Sequence, residues 1–109
     1  LINASERDTR LIFRSLRNTA RVLSNAVSNE VLSIENQPGG CVFEDIRHLV
    51  AGRRGREALV SGDANGGVIT AGMVAGLIDD IPSCAQLLKR MMVECREELA
   101  RAQARLPML

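Results

Sequence analysis

Apolar residues along this chain fall first into one short run and then into stripes of helical period. Thr9 to Arg14, Thr-Arg-Leu-Ile-Phe-Arg, is apolar and flanked by charge, which predicts a brief strand or an extended lead-in. From about Asn18, Ala20, Leu23, Val27, Val31 and Ile34 recur at three and four residues while Val22 and Ala26 widen the stripe. This spacing predicts one helix reaching about Glu35, ended by Asn36-Gln37-Pro38-Gly39-Gly40, where proline cannot continue it. Phe43, Ile46, His48, Leu49 and Val50 predict a short helix closed by Gly52 as its C′ glycine. After Arg53-Arg54-Gly55-Arg56 a second short helix follows, with Ala58, Leu59 and Val60 expected inward. Ser83 and Gln86 form a capping box that opens a long last helix. Its stripe of Cys84, Leu88, Met91, Cys95, Leu99, Ala102 and Leu106 is expected to be buried, with charged residues on the rest of the surface.

Between the short helices and the last one lies a glycine-punctuated stretch with Gly62, Gly66, Gly67, Gly72 and Gly76. Each interior glycine costs ~0.5 to 1 kcal/mol relative to alanine in regular structure. Three physical needs account for such a run: positive φ, close packing on a neighbouring element, or a backbone left open to a flat or anionic ligand. The sequence leaves these alternatives open.

With 109 residues the chain has room for one small domain, and its core is modest. Trp and Tyr are absent and Phe occurs twice, so the usual aromatic anchors are missing. A net charge of +1, and arginines at positions 7, 10, 14, 17 and 21 without interleaved aromatic residues, argue against nucleic acid. Solvent is the default partner of those arginines; Arg17 and Asn18 are the pair suited to an anionic cofactor or substrate edge. No apolar run approaches the ~20 residues of a membrane span. His48, the single histidine, has the spacing of an ordinary helix residue, and no catalytic or metal-ligating constellation surrounds it. The cysteines Cys41, Cys84 and Cys95 lack metal-ligand spacing and read as reduced thiols of a cytoplasmic protein, Cys84 and Cys95 buried in the last helix. The start at Leu1 and the aromatic-poor composition suggest a piece of a longer chain.

Several segments in order resemble one family. They are Ser-Leu-Arg-Asn-Thr-Ala-Arg-Val-Leu (15–23), Gly-Arg-Arg-Gly-Arg (52–56), Ser-Gly-Asp (61–63), Ala-Gly (71–72) and above all Gly-Leu-Ile-Asp-Asp-Ile-Pro-Ser (76–83). Together they resemble the C-terminal part of the nitronate monooxygenase family, once called 2-nitropropane dioxygenases. That resemblance implies a mainly α fragment with one or two short strands, belonging to an FMN-binding (β/α)8 TIM barrel. Residues 1–75 correspond to its helical second, or lid, domain, and residues 76–109 to the return segment and final barrel helix. The barrel proper, with its catalytic histidine, is expected before residue 1, leaving no catalytic residue here. The activity implied is oxidation of alkyl nitronates with oxygen. NADH-linked quinone reductases and a flavin-dependent enoyl reductase share the fold and stand as alternatives.

Around residues 69–73 the family usually reads Trp-Ser-Ala-Gly-Gln, its serine near the flavin; here the segment is Ile69-Thr70-Ala71-Gly72-Met73. The resemblance therefore assigns Thr70, Ala71 and Gly72 to FMN and Ile69 and Met73 to the substrate pocket. Threonine keeps the serine hydroxyl. Ile69 and Met73 lack the indole N–H and the amide they replace, which points to a changed substrate. The partners implied are a small-molecule substrate and the remainder of the barrel. A different class, a non-enzymatic helical interaction module docking through the last-helix stripe, is the competing expectation.

Overall fold

The structure, a computed structural model, describes residues 2–106. It divides into two compact units, one up to Asp79 and one from Asp80 on. The ends of the two expected segments, residue 1 and residues 107–109, lie outside the described residues.

The first unit starts with an antiparallel ribbon of β1 (Thr9–Ile12) and β2 (Ala20–Leu23), in register from Thr9 opposite Leu23 to Ile12 opposite Ala20. Helix was expected over 18–23, and a strand stands there instead. Two features redirect it. Phe13 and Arg17 adopt positive φ, 64° and 55°, and the Asn18 N–H donates to the Phe13 carbonyl at 3.1 Å, folding the chain back so that β2 meets β1. The Glu35 carboxylate fastens the same turn, accepting from Phe13 N–H at 2.9 Å, Ser15 N–H at 3.2 Å and the Ser15 hydroxyl at 2.7 Å.

Helix α1 (Ala26–Glu35) therefore starts eight residues later than the apolar period suggested, directly after Asn25, where the backbone is extended. The Asn25 side chain accepts from Ser28 N–H at 2.8 Å, and the Ser28 hydroxyl accepts from Asn25 N–H at 2.9 Å, a capping box that stops the helix from extending backwards. Two short helices follow, α2 (Phe43–Val50) and α3 (Gly52–Ser61). Gly52 opens α3 without positive φ and so is not the left-handed cap expected; that conformation belongs to Gly62, φ 75°, after α3.

Ile12, Val22, Val27, Val31, Ile46 and Leu49 form the core, an aliphatic cluster shared by the ribbon, α1 and α2. In α3 only Ala58 is buried, whereas Leu59 and Val60, expected inward, are 74% and 82% exposed. The helix meets the body through its glycine-bearing first turns and Ala58, which leaves those two on its outer side.

The second unit is α4 (Cys84–Arg105) and its lead-in. Its cap is the one expected: the Ser83 hydroxyl accepts from Gln86 N–H at 3.3 Å and Gln86 Oε1 from Ser83 N–H at 2.9 Å. Arg90 grips Asp80 with bonds of 2.7 and 3.1 Å, which holds the Asp80 carboxyl below the usual range. The expected burial is absent: no residue of α4 is buried, and Leu88, Met91, Leu99, Cys84 and Cys95 are exposed. A unit made of one helix contains no layer to cover its stripe. The observed class is the expected one, mainly helical with two short strands.

Replacing Asn25 by alanine removes the α1 cap and leaves two loop carbonyls without their donor, so urea unfolding should show a loss of ~2 to 4 kcal/mol. Ser83→Ala should lower the stability of α4 by ~1 kcal/mol, read from the thermal loss of helical circular dichroism.

Candidate functional site

The strip 69–71 runs along β2 on the edge opposite β1. Leu23 N–H donates to the Ile69 carbonyl at 2.8 Å, Ala71 N–H to the Arg21 carbonyl at 3.4 Å, and Val22 bridges Thr70 in antiparallel sense. The preceding loop is hung on Asn25, whose Nδ2 donates to the carbonyls of Ala64 and Gly67 at 2.8 Å each, while Asn65 Oδ1 accepts from Ala26 N–H at 3.1 Å. A buried amide with every group paired thus fixes where residues 64–67 leave α1 and where 69–71 reach the ribbon.

Within this frame the five expected site residues stand together as one continuous strip, with different exposures. Ile69 is half-buried, Thr70 and Gly72 are exposed, and Ala71 is buried. Met73 opens a short 3-10 turn (Met73–Leu77) and is 55% exposed. The Ala71 N–H is spent on Arg21, so its backbone donor anchors the strip and does not face a ligand.

The glycines now separate by cause. A Cβ on Gly67 would stand 2.9 Å from the Gly55 backbone and one on Gly76 2.9 Å from Glu6 N, so close approach demands both; Gly62 is the left-handed cap already described, and Gly66 lies under the Asp63 carboxylate. Gly72 alone of the five has no such cause. It is extended, φ −84° and ψ 170°, and an added Cβ would meet only Val74, at 3.6 Å.

A groove of about 530 Å³ opens beside the strip, walled by Gly55, Arg56, Leu59, Val68, Ile69 and Thr70, within the roughly 300–1,000 Å³ typical of small-molecule sites. At Gly55 the groove meets the Gly55–Gly67 crossing, which is reinforced by Arg54 Nε donating to the Gly66 carbonyl at 3.2 Å. Arg56 stood in the sequence only as the end of Gly-Arg-Arg-Gly-Arg; its place in the groove comes from the crossing of α3 over residues 67–68, which no local pattern announces. Arg17 and Asn18 lie in the turn before β2, away in sequence from every wall of this groove, and His48 is an exposed residue of α2. Among the described residues no group of acidic, histidine and cysteine side chains is placed to hold a metal, and no helix is long and apolar enough to cross a membrane.

Comparison with known proteins places this architecture. Superposed on FabK from Thermotoga maritima, the chain matches over 96% of its length with a TM-score of 0.77 and 27% identity, covering 32% of that protein. The fold is that of part of FabK. A methionine-to-alanine variant of the same protein gives a TM-score of 0.70 at 25% identity, again over 96% of this chain and 29% of the other. Among curated proteins, 49 residues are 37% identical to (3aS,4S,5R,7aS)-5-hydroxy-7a-methyl-1-oxo-octahydro-1H-indene-4-carboxyl-CoA dehydrogenase of Mycobacterium tuberculosis, spanning 45% of this chain and 14% of that enzyme. No family model matches the sequence. The chain thus spans about a third of the FabK structure and a smaller share of the dehydrogenase.

The two glycines 67 and 72 should respond oppositely to alanine. Gly67→Ala forces backbone apart at the α3 crossing and should cost ~1 to 3 kcal/mol. Gly72→Ala should leave the urea midpoint unchanged or raise it, by up to ~1 kcal/mol, because it only restricts the unfolded chain.

Proposed function

We propose that this chain is the C-terminal portion of an FMN-dependent oxidoreductase of the nitronate monooxygenase superfamily. Residues 1–75 form its lid domain, residues 76–109 return to the barrel as its last helix, and the strip 69–73 closes the pocket over the flavin. The likeness to FabK supports the superfamily. Gly72 supports the site: of the five glycines from 62 to 76 it is the one that neither positive φ nor a close crossing explains, and it is an exposed member of the strip.

The residues present fit such a cofactor. Gly72 offers exposed bare backbone with only Val74 beside it, and the exposed Thr70 hydroxyl has a donor and an acceptor to offer a ring heteroatom. Ala71, tied to Arg21, fixes the height of both. Ile69 and Met73 supply apolar wall on either side, excluding water from whatever reacts there. FMN, when bound, supplies electron or hydride transfer between substrate and acceptor. The reacting groups besides the flavin come from outside this chain.

For the substrate, the resemblance favours an alkyl nitronate oxidised with oxygen. A second reading is reduction or oxidation of an acyl or enoyl thioester. It is supported by the similarity to an enzyme named for a carboxyl-CoA substrate, and by the apolar character of Ile69 and Met73. A quinone reductase using NADH is the third member of the same group.

In the full-length protein, Thr70→Val removes one hydroxyl at constant shape and should weaken FMN binding by ~0.5 to 1.5 kcal/mol, read from flavin fluorescence. Ser33→Ala, an exposed hydroxyl of α1, is the control. Equal affinities for the two variants would mean that the strip serves packing only. Turnover of a nitronate under oxygen, set beside turnover of an enoyl-CoA with NADH, decides between the first two substrate classes.

A further inference from the structure

The strip is tied to the segment 21–25 by a ladder whose last rung is a side chain. Ala71 N–H donates to the Arg21 carbonyl, Val22 stands opposite Thr70, and Leu23 N–H donates to the Ile69 carbonyl. In an antiparallel pair of this register, the next residues to face each other for hydrogen bonding are Asn25 and Gly67. The main chain cannot make that bond. At Asn25 the backbone N–H has turned to the Ser28 hydroxyl at 2.9 Å, because α1 begins there. Nδ2 of the same residue takes its place, donating to the Gly67 carbonyl at 2.8 Å and to the Ala64 carbonyl at 2.8 Å. Asn25 is 6% exposed and Gly67 is buried, so the rung lies inside the first unit.

Register depends on that rung. The strip follows two glycines, Gly66 and Gly67, and glycine-rich strands specify their alignment weakly. At the other end of the ladder the bond from Ala71 to Arg21 is 3.4 Å long, against 2.8 Å at Leu23. A slip of one residue turns every side chain of a strand to the opposite face, and here Thr70 would turn with the rest.

We propose that Asn25 is a positioning residue: its amide, standing in for a backbone N–H, sets the register of the strip 69–73 and through it the face that Thr70 and Gly72 present to the flavin. This rests on the flavoenzyme reading above. The two ends of the side chain have separate tasks. Oδ1 caps α1 through Ser28 N–H at 2.8 Å, and Nδ2 holds the strip.

That separation allows a test in the full-length protein. Asn25→Ser keeps a capping oxygen and loses the amide; Asn25→Asp keeps shape and cap and loses both N–H donors. Ser28→Ala is the control, since it removes the other half of the cap, a fully buried hydroxyl, and leaves Nδ2 in place. The readouts are amide hydrogen exchange at Leu23 and Ala71, FMN affinity from flavin fluorescence, and visible circular dichroism of the bound flavin. Both Asn25 variants should speed the two exchange rates at least about tenfold beyond those of Ser28→Ala, weaken FMN about tenfold and alter the visible spectrum. Ser28→Ala should lower the melting temperature yet keep wild-type flavin affinity and spectrum, a contrast that a merely structural role for Asn25 does not predict. Exchange no faster than in Ser28→Ala overturns the proposal. So do unchanged FMN affinity and spectrum in the Asn25 variants when the wild type binds FMN. Faster exchange in a protein that binds no flavin sinks the flavoenzyme reading alone and upholds the register role.

Discussion

The first unit depends on one buried amide. Asn25 ends the ribbon, caps α1 and carries the loop that leads to the strip, and its side chain does this with three hydrogen bonds of 2.8 Å. A core whose six buried members are all aliphatic, with Phe13 only at its margin, gives little directional information, since such side chains tolerate slippage against one another. Direction comes from the polar groups at its edge. Asn25 fixes the entry to α1 and Glu35, at the other end of that helix, fixes the turn between the strands, so a ten-residue helix is located at both ends by side-chain bonds to backbone. A buried amide in this position is costly to leave half-satisfied, which is why its partners behave as a set.

That arrangement explains what was and was not legible in the sequence. The stripe Val27, Val31 and Ile34 lies on one face of α1, and the period alone located it. Ala20 and Leu23 continue the same spacing backwards, and over six residues a strand and a helix meet that test equally well. What decides is Asn25 with Ser28 three residues on, a cap signal present in the sequence, and the left-handed Phe13 and Arg17, which no residue preference announces because neither is glycine or asparagine. The Ser83–Gln86 cap was readable because both of its halves are local.

The candidate site was legible in a different way. Its residues were named by resemblance, and their physical standing came only from the fold: the strip pairs with β2 across about fifty residues of intervening sequence, a distance at which periodicity carries nothing. The glycine run showed the ambiguity most clearly. Three causes were left open for the run, and the structure divides it among a cap, close crossings and one position with neither. Leu59 failed as an inward residue for the same reason. Helix α3 is short and touches the body through glycine and Ala58, so its apolar side chains were free to become groove wall.

The charge on α3 makes the last step. Its first turn holds no acidic residue, while Arg53, Arg54 and Arg56 crowd the end where the helix dipole favours negative charge. Local preference would place an acid there, and the chain instead keeps a helix weakened by cations and opened by two glycines, Gly52 and Gly55. Gly55 is explained by its contact with Gly67, Arg53 by Glu57 and Arg54 by the Gly66 carbonyl. Gly52 and Arg56 have no such explanation among the described residues. The charge is partly offset inside the helix itself, since Glu57 stands one turn in from Arg53 and Arg54 is spent on the carbonyl that holds the crossing, so the arginines that make contacts do so to fix where α3 lies and not to strengthen it as a helix.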